Sequence, residues 1–91
     1  MTFLFQNYPN PFNTLTNIKC LIAKAGHVEL KVCNLSGQLI NTLVDRQEKA
    51  GNHVVEWDGR DDEGKQVSSG IYFYCLKAGA YKGIKKRVVS R

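Results

Sequence analysis

Apolar residues in this chain recur at every second position, in short runs broken by Gly, Asn and Asp. Nowhere do they hold a 3.6-residue spacing bounded by a cap and a stop, so the pattern predicts strands. Ile18, Cys20 and Ile22 alternate with Lys19 and Leu21 and predict a first strand. Ala25-Gly26 turns the chain. Val28, Leu30 and Val32 then alternate with Glu29, Lys31 and Cys33, apolar on one face and mostly charged on the other. Asn34-Leu35-Ser36-Gly37 reads as a turn, with a Gly able to supply a positive φ. Leu39 to Val44 is the third strand. Ile40 and Leu43 are its expected core contacts, and their three-residue separation breaks strict alternation and predicts a bulge. Asp45 to Asn52 reads as a polar connection. Val55 and Trp57 face inward on the fourth strand, with Val54 and Glu56 opposite. Asp58 to Ser69 is a long polar loop. Gly70 opens the strongest β-forming run, Ile71 to Leu76, in which Tyr72, Tyr74 and Leu76 share a face. Ala78-Gly79-Ala80 turns into a last strand, Tyr81 to Val89.

Six or seven short strands punctuated by turns make an all-β chain, an antiparallel β-sandwich in which two amphipathic sheets bury their apolar faces together. The expected core is Val28, Leu30, Val32, Val55, Trp57, Tyr72 and Tyr74, centred on Trp57. Pro9 and Pro11 each remove a ladder donor, so the segment before Ile18 is expected along an edge.

With 91 residues the chain makes one domain, read as residues 3–91 with Met1 and Thr2 as an added start. A domain of this size buries about 60–70% of its unfolded surface, which leaves little room for a deep cleft. No apolar run approaches the roughly 20 residues that span a bilayer. The opening residues lack a basic region and a long apolar stretch, so any export signal is expected outside this chain. Net charge is +5, unevenly spread. Acids gather at Asp45, Glu48, Glu56, Asp58, Asp61, Asp62 and Glu63, with Glu29 apart, while the end carries Lys77, Lys82, Lys85, Lys86, Arg87 and Arg91. That basic end lacks the aromatic platforms and Arg density of nucleic-acid binders, so no nucleic acid is expected as a partner.

Candidate chemistry is sparse, and no enzyme activity, cofactor or small-molecule substrate is expected. His27 and His53 stand in strand or turn contexts, without ligand spacing or a catalytic motif. A His27–Cys33 dyad is conceivable on one strand but mismatched in position. Cys20 reads as buried; Cys33 and Cys75 read as outward-facing free thiols, with no CxxC pair for zinc. Asp58, Asp61 and Asp62 between Gly59 and Gly64 are weak calcium candidates, lacking a bidentate acid at the twelfth loop position, and read first as an ordinary acidic turn.

Several segments, taken in order, carry a resemblance. They are Asn7-Tyr8-Pro9-Asn10-Pro11-Phe12-Asn13, Asn34-Leu35-Ser36-Gly37-Gln38, and Gly51-Asn52-His53-Val54-Val55-Glu56-Trp57-Asp58-Gly59. Ser69-Gly70-Ile71-Tyr72-Phe73-Tyr74 and Lys85-Lys86-Arg87-Val88-Val89 follow. Together they resemble the type A C-terminal sorting domain of the type IX secretion system. They are also similar to the immunoglobulin-like domain of the flagellar hook-capping protein. The resemblance implies an immunoglobulin-like sandwich of six to seven strands, covalently linked behind N-terminal cargo. It implies passage through the periplasm and an outer-membrane secretion translocon, then removal by a sortase-like peptidase, leaving the cargo secreted or on the cell surface. It implies cleavage upstream of Asn10-Pro11, and recognition through Gly70, Tyr72, Lys85, Lys86, Arg87, Val88 and Val89. The chain departs from the pattern at Cys20, Cys33 and Cys75, and in lacking a second proline after Pro11.

Two readings of the last strand stand side by side. An edge strand offers backbone groups and basic side chains to a partner, or its lysines merely blunt an aggregation-prone edge. A structural or adhesive module is the alternative function. An accessory carbohydrate-binding domain, with Tyr81 and Phe73 as its outward aromatic pair, is the third.

Overall fold

The alternating stretches fold as seven antiparallel strands in two layers, in a computed structural model that describes residues 2–5 and 15–89. One sheet holds β1 (Phe3–Leu4), β2 (Thr16–Ile22) and β5 (Gly51–Trp57), in the order β1-β2-β5. The other holds β3 (Gly26–Asn34), β4 (Leu39–Glu48), β6 (Gly70–Ala78) and β7 (Tyr81–Val89), in the order β4-β3-β6-β7. Pro9 and Pro11 lie outside the described residues.

Period-two alternation creates the core. Ile18, Cys20 and Ile22 on β2 close over Val28, Leu30 and Val32 on β3 and Tyr72, Tyr74 and Leu76 on β6, all buried in one cluster. Each fully buried aliphatic side chain there contributes about 1.5–3 kcal/mol. Trp57 is buried as expected. Val55 points the same way but is only half-buried, because β5 is the outer strand of its sheet.

The bulge expected in the third strand is present. Lys31 pairs with Thr42 while Leu30 pairs with Val44, which leaves Leu43 as an extra residue. Ile40 is skipped in the same way between Asn41 and Leu39. These shifts bring Val44 into the core, with Ile40 and Leu43 packed partly buried against it. The polar connection expected at Asp45 to Asn52 is instead mostly strand. β4 continues to Glu48 and β5 begins at Gly51, with Asp45 opposite Glu29 and Gln47 opposite His27. Backbone pairing overrides side-chain polarity there, and ion pairs such as His27–Asp45 (2.6 Å) cover the exposed surface.

The turn after β3 is built as the residues require. Gly37 has φ +84° and donates its N–H to the Asn34 carbonyl. The Asn34 side chain accepts from the Ser36 and Gln38 amides at 3.0 and 2.9 Å. Gly37→Ala meets no crowding but forces a left-handed backbone. It is expected to lower stability by about 1–2 kcal/mol in a urea titration, and an unchanged midpoint would remove that role for Gly37.

Two devices finish the edges. The loop from Asp58 to Ser69 lies against β4: the Asp62 amide donates to the Ile40 carbonyl and the Thr42 amide to the Asp62 carboxylate. On the opposite side, Tyr81 lies across Gly83, where an added Cβ would come 2.5 Å from the phenol oxygen. That oxygen accepts from the Leu4 amide at 3.2 Å, and the Tyr74 hydroxyl donates to the Phe5 carbonyl at 2.8 Å, tying β1 to the second sheet.

Candidate recognition surface

Strand parity sorts the residues expected to carry recognition. β7 ends its sheet and pairs with β6 in continuous register, from Ala78–Tyr81 to Gly70–Val89. Along it Lys82, Ile84, Lys86 and Val88 point outward and are exposed. Lys85 points inward, half-buried, with its Nζ 5.7 Å from the centre of the Phe3 ring. Arg87 and Val89 are buried. The basic end is therefore not one ribbon of accessible charge, because alternation carries every second residue into the sandwich.

Arg87 is the largest departure from expectation. Its guanidinium carbon lies 3.8 Å from the centre of the Tyr74 ring and 4.8 Å from that of Trp57. None of its three side-chain nitrogens finds a hydrogen-bond acceptor among the described residues. Desolvation pushes its pKa down from the usual guanidinium range to about 9, against smaller upward contributions from Tyr74 and Cys75. A receptor cannot touch this side chain on the folded domain. The sequence held a weak signal, since Arg87 shares parity with Val89, but the adjacent Val88 leaves the apolar face ambiguous.

Tyr72 is also buried, with its hydroxyl donating to the Ser68 carbonyl at 2.7 Å and its ring edge-on to Trp57 at 5.9 Å. Gly70 is half-exposed with φ +157°, and a Cβ there would meet nothing within 4 Å, so crowding is not why a glycine stands there.

What faces solvent is a mixed apolar and basic sheet surface. On β6 and β7, Ile71 stands opposite Val88, Phe73 opposite Lys86, Cys75 opposite Ile84 and Lys77 opposite Lys82. Ile84 is 61% exposed and Ile71 40%. On the neighbouring β3, Lys31 pairs with Glu29 at 3.0 Å and holds that carboxyl below its usual range. Lysines outnumber acids on the outward faces of β6 and β7, where Lys77, Lys82 and Lys86 stand and Lys77 also faces Glu29 across the β3–β6 ladder. Alternation of Ile71, Phe73 and Cys75 against the tyrosines is the signal that could have revealed this face.

The other candidates resolve simply. Asp58 accepts from the Arg60 amide, Asp61 from the Glu63 and Lys65 amides, and Asp62 from Thr42, as turn carboxylates do. No group of three His, Cys, Asp or Glu side chains able to hold a metal occurs among the described residues. His27 is bonded to Asp45 and His53 to the Lys49 carbonyl, so no Cys–His dyad forms. Tyr81 packs against the core while Phe73 lies on the outer face, so they make no common sugar platform. All three cysteines are free, Cys20 buried and Cys33 and Cys75 half-exposed. Among the described residues, no helix is long and apolar enough to cross a membrane.

A family model described as the FlgD Ig-like domain matches residues 14–82, from before β2 to the start of β7. The chain belongs to that family. No curated protein sequence matches it. Among solved structures, the FlgD-type sandwich is similar to dimeric latent PorU from Porphyromonas gingivalis, with TM-score 0.73, 16% identity and 98% of this chain covered. It is similar to PorZ of the same organism, an essential surface component of its type IX secretion system, with TM-score 0.63, 20% identity and 99% covered. FlgD from P. aeruginosa follows at TM-score 0.59 and 18% identity, covering 82% of this chain and 59% of that one. The chain spans 9% of PorU and 11% of PorZ. The immunoglobulin-like sandwich expected from the sequence is therefore the fold of this FlgD-type domain.

Proposed function

We propose that this FlgD-type domain is a non-catalytic sorting module that directs covalently linked N-terminal cargo through the type IX secretion system to the cell surface or medium. The observation that supports it most is the exposed face of β6 and β7, where Ile71, Ile84 and Val88 lie among Lys77, Lys82 and Lys86. Apolar side chains among same-sign charges suit a docking surface read by a receptor of opposite charge. Likeness in fold to domains of PorU and PorZ is consistent with this use. In this proposal the translocon reads Lys86 and Val88 directly. Lys85, Arg87, Val89, Tyr72 and Gly70 act by holding β6 and β7 in shape. A sortase-like peptidase removes the domain afterwards.

The test is a reporter fused ahead of residues 3–91 in a host that carries the system. Wild type is expected in the medium or on the surface. Combined Lys82→Glu, Ile84→Lys and Lys86→Glu is expected to cut export at least tenfold while the domain still melts cooperatively. Full export of that variant would defeat the assignment of the surface. Intracellular retention of the wild-type fusion would defeat the sorting role itself. The second reading, a structural subunit-contact module, is favoured by the family match and predicts such retention.

A further inference from the structure

Cys33 and Cys75 occupy neighbouring strands on one face of the four-stranded sheet. Lys31 pairs with Cys75 and Cys33 pairs with Phe73, so the two cysteines are diagonal neighbours across the β3–β6 ladder. Both are half-exposed. Diagonal neighbours on one face lie about 7–8 Å apart at Cα and less at Cβ. A disulfide needs roughly 4.4–6.8 Å at Cα, and sheet twist draws one of the two diagonals together. The thiols sense each other across the strands: after burial, Cys33 is the largest cause raising the Cys75 thiol above its usual range. Cys20 cannot compete, because it is buried on the inner face of the opposite sheet, which packs about 10 Å away.

We propose that Cys33 and Cys75 form a reversible disulfide that staples β3 to β6 on the outer face of the sandwich. This does not depend on the sorting role. The oxidant is a disulfide, either of low molecular weight or on a protein, as oxidising compartments supply. One cysteine thiolate attacks that disulfide, forming a mixed disulfide and expelling one thiol. The second thiolate attacks the protein-side sulfur and expels the other thiol. Two protein thiols lose two protons and two electrons, and the electrons end on the two thiols released. The staple encloses residues 33–75, which carry β4, β5 and the long loop, so closing it restricts much of the unfolded chain.

The experiment incubates the folded chain with oxidised glutathione, then traps free thiols under denaturing conditions and measures intact mass. Loss of two hydrogens is expected, with a single alkylatable thiol left at Cys20 and a proteolytic fragment linking Cys33 to Cys75. The melting temperature should rise by roughly 10–20 °C and return on reduction. Cys33→Ser and Cys75→Ser should each stop at a persistent glutathione adduct. Three remaining thiols, a lasting adduct on the wild type, or disulfide-linked dimers as the main product would each overturn the proposal.

Discussion

Trp57→Ala is expected to lower stability by about 3–5 kcal/mol, the usual range for emptying a buried aromatic site. The ring is 1% exposed, meets Tyr72 edge-on and supports the Arg87 guanidinium. Its indole N–H also donates to the Arg60 carbonyl at 2.8 Å, which pins the long loop near its start. Truncation therefore leaves a void and a cation with one aromatic face instead of two, while the Arg60 carbonyl keeps the Asn41 side-chain amide as its donor at 2.8 Å. Small domains hold about 5–15 kcal/mol in total, so the variant should sit close to unfolding at ordinary temperature. Trp57→Phe separates the contributions. It keeps much of the ring and loses the hydrogen bond, so it should cost about 1–3 kcal/mol, between wild type and the alanine variant. Urea titrations of the three proteins decide it. An alanine variant with a wild-type midpoint would mean that the indole is not the centre of the core.

The fold was legible because alternation is a local signal. Val28, Leu30 and Val32 opposite Glu29 and Lys31 announce one buried face without any knowledge of partners, and Tyr72, Tyr74 and Leu76 do the same. The bulge at Leu43 was also legible, since two apolar residues an odd number apart cannot share a face without an inserted residue. Strand ends were not. His27, Asp45 and Gln47 look like loop residues, and only their pairing across β3 and β4 makes them strand. The recognition surface was half legible for the same reason. Lys82, Ile84 and Lys86 follow from parity once the strand is known. Arg87 does not, because a basic residue beside Val88 and Val89 suits either face, and its burial depends on two rings supplied from β5 and β6. No pattern along the chain records such a long-range coincidence.

Arg87→Met is expected to raise stability by about 2 kcal/mol, although it removes a buried side chain's polar head. Replacing a buried charge by an apolar side chain of similar length is commonly neutral or stabilising by about 1–4 kcal/mol. Stacking on two rings returns about 2 kcal/mol or more to a desolvated cation. It does not restore hydration to three nitrogens that find no acceptor among the described residues. Methionine keeps the length and places a sulfur near the Trp57 and Tyr74 rings, where such contacts are favourable. The melting temperature should rise by roughly 8–16 °C in a domain of this size. The pH dependence supplies an independent check. The folded pKa is about 9, well below that of the unfolded chain, so below 9 both states are protonated and the folded state bears the full cost of burying charge. Above about 9 the folded state sheds its proton while the unfolded state keeps it, and that cost is progressively relieved. The advantage of Arg87→Met should accordingly shrink as pH rises from 8 to 11. A variant that melts lower than wild type at neutral pH, or a difference flat across that range, would mean that the two rings more than offset the buried charge. Arg87 would then be what holds the end of β7 on the sandwich.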